Sequence, residues 1–149
     1  MNDACYISEA KAYLLSLSGV TEEMLYLYLH RWRERKPRDM RELFRAFLNH
    51  AKNRQGMPNG IGEVDRLSKV LFSFDAHQTV ERYPSWSEVF DAVQASGYHP
   101  PGRMDKKNSR NYWVTYCKAI SSIAKFLSSY KRIEEFDAFV ESFLDLSRV

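Results

Sequence analysis

Between positions 111 and 146 apolar residues recur at steps of three and one. Trp113, Tyr116, Cys117, Ile120, Ile123, Ala124, Leu127 and Tyr130 form one series; Phe136, Phe139, Val140, Phe143 and Leu144 form the next. That period places each series on one face of a helix. The short junction at Lys131 and Arg132 predicts an antiparallel helical hairpin.

The same reading places six helices before it. Ser8 caps a first helix that runs to about Leu17 and stops at Gly19, and Thr21 caps a second that runs to about Arg35. Met24 to Tyr28 is apolar nearly all round, which predicts a central position. Lys36 and Pro37 end that helix, because a residue before proline avoids the α region. Asp39 and Glu42 form a capping pair for a third helix. It carries Met40, Leu43, Phe44, Phe47, Leu48 and Ala51 on one face and Arg38, Arg41, Arg45, Asn49 and Lys52 on the other. Residues 55–62 read as a loop, and Leu67, Val70, Leu71 and Phe74 mark a fourth helix. Asp75 caps a short fifth helix ending before Pro84, and Ser85 with Glu88 opens a sixth. Residues 97–108 form the longest loop. The expectation is an all-α fold: one domain over 1–149, a bundle of about eight helices ending in the hairpin.

A chain of 149 residues with 14% aromatics can bury a core without metal or disulfide. Cys5 and Cys117 make no framework; Cys117 falls on an apolar seam and reads as a small buried hydrophobe. Without a signal peptide or a long apolar run, the expected setting is the reduced cytoplasm, with no membrane contact. His30, His50, His77 and His99 lack ligand spacing, so no metal is expected. No cofactor motif or catalytic set can be defended from spacing, which leaves enzymatic activity undecided. Acidic pairs such as Glu22 with Glu23 and Glu134 with Glu135 sit at helix starts, where they suit the helix dipole.

Charge is where the sequence points outward. The net charge is only +3, yet residues 31–54 hold nine Lys/Arg against Glu34, Asp39 and Glu42. Residues 103–110 add a second basic group, while the tail after Ile133 is acidic. This polarity suits an anionic partner. The candidate nucleic-acid-binding residues are Arg31, Arg35, Arg38, Arg41, Arg45 and Lys52, with Arg103, Lys106, Lys107 and Arg110 in the loop. Trp32 among arginines is either a stacking platform or a continuation of the Leu25, Tyr28, Leu29 seam, and the spacing favours core. Asn59, Gly60, Ile61 and Gly62 could bind a phosphate at a helix start. No strand precedes them and no P-loop lysine follows, which favours a plain interhelical turn.

Leu43 and Phe44, then Leu71-Phe72-Ser73-Phe74-Asp75 with Val80, then Ala124 to Leu127 and Phe136 to Phe143, occur in a familiar order. The series resembles the central helices of the 3-methyladenine DNA glycosylase I family, within the helix-hairpin-helix glycosylase superfamily. The resemblance implies a DNA-contacting core. The family's base-contacting glutamate would fall near His50, its pocket aromatic near Pro58 and its last-motif tryptophan at Glu141. Its zinc-binding residues have no counterparts beyond Cys5. Resemblance and departures together imply a glycosylase-like core without the usual active site.

The leading expectation is therefore a non-catalytic helical domain that contacts nucleic acid, DNA or RNA. An alternative is a protein-interaction module, such as a phage or defence-related inhibitor, displaying aromatics such as Tyr83 and Tyr98. A second alternative is a divergent glycosylase, which requires a cavity near His50 and Gln55 with a buried acid or base.

Overall fold

A computed structural model describes residues 3–34, 36–53 and 56–144. It is all-α: the helices are α1 (Asp3–Ser16), α2 (Glu22–Glu34), α3 (Met40–Ala51), α4 (Met57–Ile61), α5 (Ala76–Arg82), α6 (Trp86–Ala95), α7 (Tyr112–Leu127) and α8 (Ile133–Leu144). A 3-10 turn, Val64–Leu67, lies between α4 and α5, and no strand occurs among the described residues. The backbone contacts group into two compact units, Met1–Lys36 and Pro37–Val149.

In the second unit α7 is the central helix. Its Trp113, Tyr116, Cys117, Ile120, Ala124 and Leu127 are fully buried, and it packs against α6, α5, α3 and α4. The opposing faces supply Phe44, Leu48, Ile61, Leu71, Val89, Phe90 and Val93, so one contiguous core results. Later helix starts follow the sequence, whereas α1 begins at Asp3 and so contains Ser8, its expected cap. Asp39 accepts from the backbone N–H groups of Arg41 and Glu42, Asp75 from that of Gln78, and Ser85 with Glu88 forms a capping box.

α8 is attached differently from a hairpin sealed along its length. Rings at the C-terminal end of α7 hold it: Phe126 and Tyr130 meet Phe136 and Phe139 at centroid separations of 5.5–6.3 Å, mostly edge to face. Phe47 of α3 also touches Phe136 edge-on at 6.1 Å.

Three further local expectations are overturned. The fourth helix expected over Leu67 to Phe74 is a 3-10 turn followed by turns. Phe72, Ser73 and Phe74 adopt φ of 50°, 57° and 62°, so the right-handed helix cannot continue. The apolar spacing was right, since Leu67, Val70, Leu71 and Phe74 are all buried, but a compact turn delivers them. Residues 55–62, expected as a loop, contain α4, with Pro58 in its first turn and Gly62 (φ 76°) closing it. Finally, Met24 to Tyr28 is not central: Met24, Tyr26, Leu27 and Tyr28 are exposed on a two-helix unit too small to enclose them.

Candidate nucleic-acid interface

The polar face of α3 is fixed by its apolar one. With Leu43, Phe44 and Leu48 buried, Arg38, Arg41 and Arg45 are carried outward at successive turns. What each cation then meets decides whether it is available to a ligand.

Arg45 is committed. Its Nε and Nη2 grip both Asp65 oxygens, the latter at 2.7 Å, and this pairing raises the guanidinium pKa above its ordinary value. Lys106 is likewise committed, with Nζ 2.6 and 2.7 Å from the two Asp91 oxygens and over the Phe90 ring. Lys52 donates to the Gly62 carbonyl at 3.0 Å, tying the end of α3 to the end of α4. Arg41 reaches Asp75 at 3.5 Å, a looser contact. Arg38, Arg103, Lys107 and Arg110 are exposed and pair with no carboxylate among the described residues. Arg31 is exposed on the first unit. Arg35, Arg54 and Gln55 lie outside the described residues, as do the side chains of Cys5 and Trp32.

The free cations do not form one stripe. The Tyr116 hydroxyl, early on α7, reaches the Leu48 carbonyl late on α3, while Arg38 and Arg41 line a cleft with Leu127 and Tyr130. The start of α3 therefore lies at the end of α7, and the 103–110 loop belongs to the opposite end, about 24 Å away along a 16-residue helix.

That cleft has a volume of about 620 Å³. Met40, Phe74, Leu127, Tyr130 and Ile133 give it apolar lining; Arg38, Arg41, Lys131 and Arg132 line it together with His77 and the acids Asp39, Asp75 and Glu134, and Arg132 reaches Glu135 at 3.7 Å. His77 Nε2 donates to the Tyr130 carbonyl at 3.2 Å, which orients the ring. Two of the lining acids are turned to local use. Asp39 and Asp75 cap helices, and Asp75 also accepts from the Gln78 side chain. Glu135, beside the cleft, accepts from the Lys131 backbone N–H at 2.8 Å, and that bond first, then the nearby Arg132 and Lys131 charges, hold its carboxyl below the usual range.

His77, Lys131 and Arg132 were missed as site residues. Each belongs to a segment of no unusual charge and gains meaning only when the starts of α3, α5 and α8 meet.

Other candidates resolve structurally. Gly60 lies within α4, and its carbonyl accepts from the Gly102 N–H and Trp113 Nε1, so the Gly60–Gly62 stretch packs against the loop before α7. Tyr98 is half-buried, its hydroxyl donating to the Ile61 carbonyl at 2.6 Å; Tyr83 is half-buried with its ring 5.9 Å from that of Phe72. Neither is a displayed loop tip. His50 is exposed at the end of α3 away from the cleft, and no described carboxylate is buried. No group of three His, Cys, Asp or Glu converges among the described residues, and no helix there is long and apolar enough to cross a membrane.

No protein-family model, curated protein or solved structure matches the chain.

Proposed function

We propose that the Pro37–Val149 unit is a non-catalytic helical module that contacts nucleic acid, in the cytoplasm, through the cleft at the start of α3. The observation that carries this reading is the gathering of Arg38, Arg41, Lys131 and Arg132 in one cleft that Phe74 and Tyr130 also line. Single-stranded nucleic acid asks for that combination: cations for the phosphates and aromatic or apolar surface for an unstacked base. The volume suits one nucleotide-sized group. Duplex DNA would use the rim alone. The likeness of the core segments to the glycosylase family supports the DNA-contacting part of the reading.

Binding of fluorescent single-stranded oligonucleotides measured against salt tests the reading. Arg38→Ala and Lys131→Ala should each weaken binding and each lower the log–log salt slope by about 0.7. Absent or salt-independent binding to both DNA and RNA would remove it.

A second reading, a protein-interaction module, is favoured by α8. Phe143 is 69% exposed beside Val140, presenting apolar surface that the bundle does not cover. A stoichiometric protein partner lost on Phe143→Ser would support it.

A further inference from the structure

The Met1–Lys36 unit differs from the rest of the chain in leaving its described apolar side chains uncovered. No described side chain of this unit is buried; Leu15, Val20, Leu25 and His30 are only half-covered. A Lys11–Glu22 ion pair at 3.1 Å links the two helices, and the Tyr26 ring stacks on His30 at 4.0 Å. The faces turned away are apolar in helical register. Ile7, Tyr13 and Leu14 line one side of α1 with the small Ala10 between them, and Met24, Leu27 and Tyr28 line one side of α2. Ile7, Tyr13 and Tyr28 are 67–76% exposed.

We infer that this helical hairpin pairs with the hairpin of a second copy of the chain to form a four-helix bundle. Three observations commit the surface to that occupant. The first is architecture: two helices each with one unburied seam are half of a four-helix bundle, and a two-fold supplies the other half with identical seams. The second is area. The six seam residues and Tyr6 expose roughly 800 Å² per chain, which is about what each partner buries in a stable complex.

The third is charge. Residues 1–36 hold five Lys/Arg and five Asp/Glu, so the unit is neutral overall but polar along α2. Glu22 and Glu23 open that helix, and Arg31 follows Leu27 and Tyr28 on the apolar face one turn later. An antiparallel two-fold through Leu27 and Tyr28 sets the acidic start of one α2 beside Arg31 of the other. A parallel arrangement would stack like charges. The seam residues are uncharged and the nucleic-acid reading rests on the Pro37–Val149 unit, so the two can fail separately.

Sedimentation of the full chain across micromolar concentrations tests it. The expected mass is about twice 17.5 kDa. Leu27→Glu should yield a monomer with unchanged helical circular dichroism. Glu23→Arg should weaken dimerisation about tenfold, and adding Arg31→Glu should restore it. Since the charge swap leaves the apolar seam intact, it still reads out if Leu27→Glu unfolds the hairpin. A monomer at every concentration overturns the inference, including one whose hairpin amides are protected from exchange. So does a dimer indifferent to Leu27→Glu, or a charge reversal that the swap does not rescue.

Discussion

The hydroxyl of Tyr116, on the buried face of α7, donates to the backbone carbonyl of Leu48 on α3 at 3.2 Å. The bond crosses the interior between the central helix and the helix that bears the candidate interface. Leu48 also accepts from the Lys52 N–H at 3.3 Å, so losing the tyrosine oxygen leaves its carbonyl partnered. Tyr116→Phe should therefore cost only about 1 kcal/mol. Tyr116→Ala adds a cavity at a fully buried site and should cost about 3–5 kcal/mol. Urea unfolding of both variants measures the difference.

The neighbouring thiol makes the protein sensitive to alkali. Burial pushes the Cys117 pKa up from 9.0 to about 12, with the Asp91 charge adding to the effect. Its neutral form is favoured in the folded state, so the stabilisation is complete below about pH 9. It is lost as pH rises toward 12, at up to about 1.4 kcal/mol per pH unit. Tyr116, raised mainly by burial, starts to contribute above about pH 10 with the same sign. Cys117→Ala should flatten the stability profile chiefly between pH 9 and 10. In the wild type the thiol should resist disulfide reagents until the chain unfolds.

Much of the fold was legible because helix signals are local. The caps at Asp39, Asp75 and Ser85 and the seam of α7 are set by residues three or four apart, and all appear where their spacing placed them. Residues 67–74 escaped because burial spacing looks alike in a helix and in a compact turn; only the left-handed backbone distinguishes them. Met24 to Tyr28 misled for another reason. An apolar run declares that something must cover it, not that its own unit can. The interface was half legible. Arg38 and Arg41 follow from the amphipathic pattern of α3, but whether an arginine is free depends on residues distant in sequence. Asp65, twenty positions on, takes Arg45, and Asp91 takes Lys106.

The left-handed turn carries a measurable cost. Phe72, Ser73 and Phe74 all have positive φ, a conformation that costs a residue with a Cβ about 1–2 kcal/mol. Ser73 is exposed, so glycine there removes that cost without opening a cavity. After the greater entropy of an unfolded glycine is set against it, Ser73→Gly should stabilise the protein by about 0.5–1 kcal/mol. Thermal unfolding reads it directly. The same change at Phe74 should destabilise, because that ring is buried.

The ion pairs predict which arginines matter for binding. Arg45 is held by Asp65 while both side chains remain about half exposed, so the pair adds little stability, within about 1 kcal/mol. Arg45→Met should leave both folding and oligonucleotide affinity nearly unchanged. Asp65→Asn frees the guanidinium and removes a negative charge, and should strengthen binding in low salt. Arg38→Ala should weaken it. Equal losses from Arg38→Ala and Arg45→Met would show that the cleft is not where phosphate is met.

Gly102 shows how tightly the long loop is held. Its N–H donates to the Gly60 carbonyl at 2.9 Å, and a Cβ placed on it would lie 2.7 Å from Gly60 Cα and 2.8 Å from that same carbonyl oxygen. Both clashing atoms are backbone, so no side chain can swing aside. Trp113 Nε1 donates to that oxygen too, at 3.2 Å, which means that displacing Gly60 also disturbs a fully buried indole. Gly102→Ala should cost about 2–3 kcal/mol and change the near-ultraviolet signal of Trp113. Gly97→Ala is the comparison: φ is 74° but nothing lies within 4 Å of the added carbon, so only the backbone cost of about 1–2 kcal/mol applies, with Trp113 undisturbed. If the two variants shift the tryptophan signal alike, the contact between the loop and α4 is not what fixes Trp113 in place.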